Sequence, residues 1–172
     1  MASLLALLSS LLWGTADFVG GYLTKKHKAA IVTAASQVFG LALGIILVIS
    51  TNSFIRPNFA WNGYLIPGIF SSVAGFLGLV VFYQGLATGS MGVVSSIGSL
   101  GAIIPIAIAF INGERPHQHQ IYGMVIALIG AFCASGPEVL KGSQLKPILL
   151  GIAAMFLFGT ALSFMAIGSK VS

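Results

Sequence analysis

Charge is scarce in this sequence. Of 172 residues, 8 are Lys or Arg and 3 are Asp or Glu, together 6% of the chain. A water-soluble domain carries about 25% charged residues. This chain therefore cannot cover a surface in water, and lipid must be its solvent. Cysteine is scarcer still. Cys133 stands alone inside an apolar run, which excludes a disulfide framework within one chain. No glycine-rich phosphate loop, Ser/His/Asp set or membrane zinc motif is visible, so the sequence offers no enzyme machinery. His117 and His119 have HxH spacing, but no Cys or further His stands near enough to complete a metal site. The start, Met-Ala-Ser-Leu-Leu, has no basic segment, and its apolar run outlasts the roughly 7–15 residues of a secretory leader. It reads as a retained first span. No cofactor and no nucleic-acid partner are implied. The net charge of +5 is spread over loops such as Lys25–Lys28, Arg56, Arg115, Lys141 and Lys146 rather than gathered on one face.

Apolar residues are abundant, at 57% of the chain. A membrane-spanning helix needs roughly 20 of them in succession. Six segments qualify, at about 3–24, 29–50, 64–87, 91–112, 118–137 and 147–169. Lys25-Lys-His-Lys28 breaks the first pair. Thr51-Asn-Ser with Arg56-Pro-Asn breaks the second, and Ala87-Thr-Gly-Ser90 the third. Asn112-Gly-Glu-Arg-Pro116 follows, with Pro116 suited to a helix's first turn. Pro137 is expected to end the fifth span, and Pro147 to open the sixth. Loops this short make successive helices antiparallel neighbours. The expected fold is an all-α, polytopic transmembrane helical bundle.

The spans carry small or polar residues at helical spacing. The first has Ser10, Gly14, Asp17, Gly21 and Thr24. The second has Thr33, Gln37, Gly40 and Gly44, and the third Ser71, Gly75 and Gly78. The fourth has Gly92, Ser95, Ser96, Ser99 and Ala102, then Pro105, a candidate kink. The fifth has Gly123, Ala127, Gly130 and Ala134. Small stripes let helices approach closely in lipid, so packing accounts for the glycines. The polar members Gln37, Tyr83, Gln84, Ser95 and Ser99 are candidates to line a cavity. Trp13 is either a cavity wall or an interface anchor.

Asp17 is the most unusual residue. An Asp in mid-span costs about 2.5–3.5 kcal/mol on insertion scales. The first span holds no other charge, and Lys25 is roughly 12 Å away along the helix, too far for a direct pair. One reading has Asp17 facing a central cavity, where it binds a proton, a cationic substrate, or each in turn. The other places it near the membrane edge, hydrogen-bonded to Thr24 or loop water.

The chain also begins to repeat itself. Residues 12–18 read Leu-Trp-Gly-Thr-Ala-Asp-Phe, and residues 157–161 read Leu-Phe-Gly-Thr-Ala, 145 positions on. Lys25 and Lys170 close both runs at the same offset. A hydrophobic chain that starts a second copy of itself points to a transporter built from internal repeats. The second copy stops soon after it begins, which leads us to expect the N-terminal part of a longer protein. Leu162 stands where Asp17 would recur, so a role for the carboxylate would belong to the first half alone.

Together these residues resemble the EamA-type transporters of the drug/metabolite transporter superfamily. The resemblance lies in Trp13-Gly-Thr-Ala-Asp-Phe18 with Gly20-Gly21, in Tyr83-Gln-Gly-Leu-Ala-Thr-Gly89, in Ser95 to Pro105, and in Gly113-Glu-Arg-Pro116 leading to Gly123 and Gly130. It covers the whole chain through the order and spacing of these pieces. It implies ten helices in two inverted five-helix repeats, a central cavity and alternating access. Residues 1–137 would be the first repeat, 138–146 the connection, and 147–172 the first helix of the second, inverted repeat. Family substrates include amino acids, nucleotide-related metabolites and drugs, mostly exported, and some relatives couple to protons. Asp17 matches by position the acidic first-helix residue of small multidrug relatives. The expected function is thus a secondary carrier of small organic metabolites or drugs in the plasma membrane. A non-transporting membrane subunit or scaffold is the alternative. The expected partners are a small-molecule substrate, the lipid bilayer, and a C-terminal half in the same full-length chain, or else a dimer. The resemblance implies a cytoplasmic N-terminus. By contrast, five Lys or Arg on the side of loops 1–2, 3–4 and 5–6 against three on the other side favour the opposite orientation.

Overall fold

The computed structural model describes residues 2–54, 56, 59, 63–88, 91–140 and 145–169, with the side chains of 2, 3, 132 and 134–140 outside that description. Expectations that rest on Gly89, Ser90, Lys141 and Lys170 fall outside the described residues, as do those on the side chains of Ala134 and Glu138.

Every described element is helical, as the apolar runs require. The elements are α1 (Ala2–Thr24), α2 (Ala29–Ser50), α3 (Leu65–Ala87), α4 (Met91–Ser99), a 3-10 turn (Leu100–Ala102), α5 (Ile103–Ile111), α6 (Gln118–Leu140) and α7 (Leu145–Gly168). Among the described residues, five helices are long and apolar enough to cross a membrane: Leu4–Thr24, Ala29–Ser50, Leu65–Ala87, Met91–Ile111 and Leu145–Gly168. The expected fourth span is therefore one rod built from α4, the 3-10 turn and α5. The break in its α-helical pattern follows from Pro105. Proline has no N–H to give the carbonyl of Gly101, four residues back, and the 3-10 turn sits at that point. The expected fifth span corresponds to α6, which is not among those five.

Two helix ends show why the chain breaks where it does. After α2, Asn52 adopts a left-handed φ of 51°. Ser53 N–H then donates to Val48 O at 3.1 Å and Asn52 N–H to Ile49 O at 3.3 Å. After α5, Gly113 has φ 84°. Glu114 N–H donates to Ala109 O at 3.0 Å and Gly113 N–H to Phe110 O at 3.1 Å. Both ends satisfy carbonyls that the helix would otherwise leave open. At the start of α6, the Gln120 side chain accepts from the His117 N–H at 2.8 Å, which caps the helix from inside. Pro116 therefore lies just ahead of α6, not in its first turn.

One boundary differs from expectation. Pro137 does not end α6, which runs on to Leu140. Losing one backbone donor is tolerated in a membrane helix when neighbours re-satisfy the carbonyl it leaves. α7 begins at Leu145. Pro147 falls in the first turn of α7, where its missing N–H costs nothing.

The helices pack around α3. It meets α7 most extensively, and also α1, α2 and α4; α6 rests mainly on α4. Glycine makes the α7 contacts possible. A Cβ on Gly78 would stand 2.8 Å from the Phe158 ring, and one on Gly101 would stand 2.7 Å from Met155 O. A Cβ on Gly159 would reach 2.8 Å from Gly101 O, so these two glycines bring α7 and the 3-10 turn into backbone contact. Phe70 and Phe164 stack at 5.2 Å, Phe82 meets Phe158 edge-on at 5.4 Å, and Ser71 Oγ donates to Ala161 O at 2.8 Å. The stripes of α2 and α6 behave differently. Gly40, Gly44, Gly123 and Gly130 have nothing within 4 Å of a built Cβ, and neither has Gly14. Packing explains Gly78, Gly85, Gly98, Gly101, Gly151 and Gly159, but among the described residues it does not explain those five or Gly68.

Candidate functional site

A cavity of about 600 Å³ opens between α1, α2, α3, α4 and α7. It follows from the helix spacing. On α4, Ser95 and Ser99 are one turn apart and both face it, joined by Gly98 and Ala102. On α3, Ser71, Ser72, Gly75, Phe76, Leu79 and Phe82 form the facing stripe. Trp13 and Asp17, again one turn apart, close it from α1, and Gln37 from α2. On α7, Phe158, Ala161, Leu162 and Met165 complete the wall.

Asp17 is the only ionisable side chain lining this cavity among the described residues. It is half-buried. The Thr24 hydroxyl donates to Gly20 O at 2.8 Å within its own helix and not to Asp17. The hydroxyl of Ser99 donates to Ser96 O at 2.8 Å. That leaves its lone pairs as acceptors at the cavity wall. The walls are otherwise apolar and aromatic, with Trp13, Phe76, Phe82 and Phe158 around one carboxylate. Such a site can desolvate an organic solute and hold a positive charge against both the carboxylate and the ring faces.

Five of the seven expected site residues meet here: Trp13, Asp17, Gln37, Ser95 and Ser99. Tyr83 and Gln84 do not line it, although Tyr83 stands near enough to Asp17 to feel its charge. Tyr83 follows Phe82 and so points about a third of a turn away from it. It is buried at 4% exposure with its ring against Gly20 of α1. Leu86 packs on Gly21 in the same way. Gln84 points elsewhere again, into a separate cleft at the end of the bundle. The residues that sequence reasoning missed include three aromatics, Phe76, Phe82 and Phe158, with Ser72 and the aliphatic Leu79 and Met165. Phe158 carried a signal, because it stands 145 positions after Trp13, just as Leu162 stands 145 after Asp17. Both members of each pair line this one cavity.

A helical membrane chain with a central, mostly apolar cavity fits a solute carrier, and the sequence matches the EamA-like transporter family over residues 1–136. The chain belongs to the EamA-like transporter family. It is an integral membrane protein of a family of transporters. Comparison with curated proteins and with solved structures finds no match. The EamA-like match takes in α1 to α5 and most of α6, and so four of the five helices that wall the cavity. The fifth wall, α7, lies beyond it.

Proposed function

We propose that this EamA-like protein is a secondary carrier of small organic solutes that bear a positive charge, such as protonated amines. The observation that carries this reading is the lone carboxylate of Asp17 in a cavity otherwise lined by aromatic, aliphatic and hydroxyl groups. A charge held half out of water in an apolar cavity is costly and calls for a partner. A cationic substrate is one such partner, and a proton is another. If the two compete for Asp17, proton entry releases the solute and the proton gradient drives its export, the direction that the family resemblance implies. Alternating access would come from rocking of repeat units about this site. The matched placement of Trp13 with Phe158, and of Asp17 with Leu162, supports a second repeat that begins at α7. The plasma membrane is the expected location.

The test is uptake of a labelled organic cation into proteoliposomes with an imposed pH gradient. Wild type should accumulate the cation in response to the gradient. Asp17→Asn should abolish that response. Equal, gradient-dependent uptake by both proteins would sink the proposal.

A further inference from the structure

A second cleft, of about 530 Å³, opens where α1 and α3 end and α2 and α7 begin. It shares no lining residue with the central cavity. Its polar lining is unlike that cavity's. Lys28 from the α1–α2 loop and Lys146 from the start of α7 converge on it with His27, and Thr24, Thr88 and Gln84 add hydroxyl and amide groups. Ala29 and Ala30, the first residues of α2, also line it. Lys28 is the N-cap of α2, with extended backbone and no side-chain cap, so the first N–H groups of a 22-residue helix lack a capping oxygen.

No described carboxylate lines this cleft. Asp17 lines the central cavity, and Glu114 lines a different cleft between α5 and α6. Glu138 belongs to α6, which contributes no described residue to the lining. Two ammonium groups, an imidazole, the Gln84 amide and a helix N-terminus around one cleft form a donor set for a multiply accepting anion, while the Thr24 and Thr88 hydroxyls already donate to Gly20 O and Gly85 O. The cleft lies at the end of the apolar spans, the depth at which lipid phosphates stand, and basic pockets between membrane helices at that depth take anionic headgroups.

We infer that this cleft binds a phosphate group, carried by an anionic phospholipid headgroup or by a soluble phosphate. Lys25 and Lys26 provide the control. They belong to the same loop but do not line the cleft, and the Lys26 ammonium lies over the Tyr22 ring at 5.7 Å.

The experiment is native mass spectrometry of the detergent-purified protein, titrated with phosphatidylglycerol, with phosphatidylcholine, and separately with inorganic phosphate. Wild type should retain phosphatidylglycerol over phosphatidylcholine. The Lys28→Gln/Lys146→Gln pair should weaken that binding about 25-fold, at about fivefold per lysine. The Lys25→Gln/Lys26→Gln pair should bind as wild type does. Lys28→Arg/Lys146→Arg should retain binding, which separates loss of charge from loss of fold. Inorganic phosphate that binds with the same dependence on Lys28 and Lys146, where phosphatidylglycerol does not, would keep the site and assign it to a soluble ligand. Equal losses in the two glutamine pairs would show only diffuse charge and overturn the inference. No preference for either phosphate source over phosphatidylcholine would overturn it as well.

Discussion

Replacing Asp17 by Asn keeps the shape of the side chain and removes its charge. Nothing in the cavity can take over, because no other described lining residue ionises and Leu162 across the cavity is apolar. A hydrogen bond to a charged group contributes about 1.5–3 kcal/mol. At about 1.4 kcal/mol per factor of ten, its loss should weaken binding of an organic cation about 10- to 150-fold. The cavity supplies its own reporter. Trp13 lines it, and the only other tryptophan is Trp61. In a Trp61→Phe background, quenching of Trp13 fluorescence reads occupancy directly. Protonated 1-naphthylmethylamine and neutral 1-ethylnaphthalene make a suitable pair of probes, since the ammonium can donate to the carboxylate and the ethyl group cannot. Asp17→Asn should weaken the cation by the stated factor and leave the neutral probe within about twofold, since packing on the aromatic wall is unchanged. Equal losses for both probes, or no loss for either, would refute the electrostatic role. Asp17→Glu, which keeps the charge, should retain most of the affinity for the cation.

Four further outcomes follow from the packing. In a Cys133→Ser background, Ser95→Cys and Ser99→Cys should react with a water-soluble maleimide and Ser96→Cys, at 8% exposure, should not; uniform protection would favour a scaffold over a carrier. Gly159→Val should lower thermal stability by about 1–3 kcal/mol through overpacking against Gly101 and Ile104, whereas Gly123→Ala, which meets nothing within 4 Å, should stay within about 0.5 kcal/mol; a thermal shift in detergent compares them. Thr33→Val should not destabilise and should gain up to about 1 kcal/mol, because Thr33 Oγ1 is buried without a hydrogen-bond partner among the described residues; a loss above that size would reveal a partner. Protease cleavage of the Lys25–Lys28 loop in inverted and right-side-out vesicles decides between the orientation implied by family resemblance and that favoured by the lysine count.

The helices were legible in the sequence because lipid imposes one simple demand, a long apolar run with paired backbone. The ends at Asn52 and Gly113 were legible for a related reason, since left-handed backbone selects Asn and Gly. Pro137 misled because the rule that proline ends a helix belongs to water. The cavity was half legible. Asp17, Gln37, Ser95 and Ser99 stood out as polar residues in apolar surroundings, and the helical period placed Ser95 and Ser99 on one face. Gln84 drew notice for the same reason but lines a different cleft, and Tyr83 packs on Gly20 behind the cavity wall, near Asp17; polarity alone does not say which way a side chain points. The aromatic wall was invisible, because Phe76 and Phe82 look like any other residue in an apolar span.

Glycine shows why composition alone cannot separate packing from open surface. The stripe of α7 and the stripe of α1 carry the same Gly-Thr-Ala, yet Gly159 is pressed against Gly101 and Ile104 while Gly14 meets nothing within 4 Å. The difference lies in the neighbour, not in the residue. Gly159 has the 3-10 turn beside it, a segment whose own glycine removes the last side chain between two backbones. Contact of backbone with backbone therefore needs glycine on both sides, whereas a glycine on one helix alone takes in a side chain of its neighbour, as Gly21 takes Leu86. That asymmetry also bears on Asp17. The residues of α7 that pair with Trp13 and Asp17 are Phe158 and Leu162, and all four line one cavity. The two sides of that cavity share aromatic and aliphatic character but hold a single carboxylate between them. A solute bound there meets charge on the α1 side and apolar surface on the α7 side. Leu162→Asp should therefore change affinity more than a substitution on the outer face of α7 such as Thr160→Asp, even though both add the same charge to the same helix. If the two variants bound the cationic probe alike, the carboxylate would act through the field of the whole helix and not from the cavity wall.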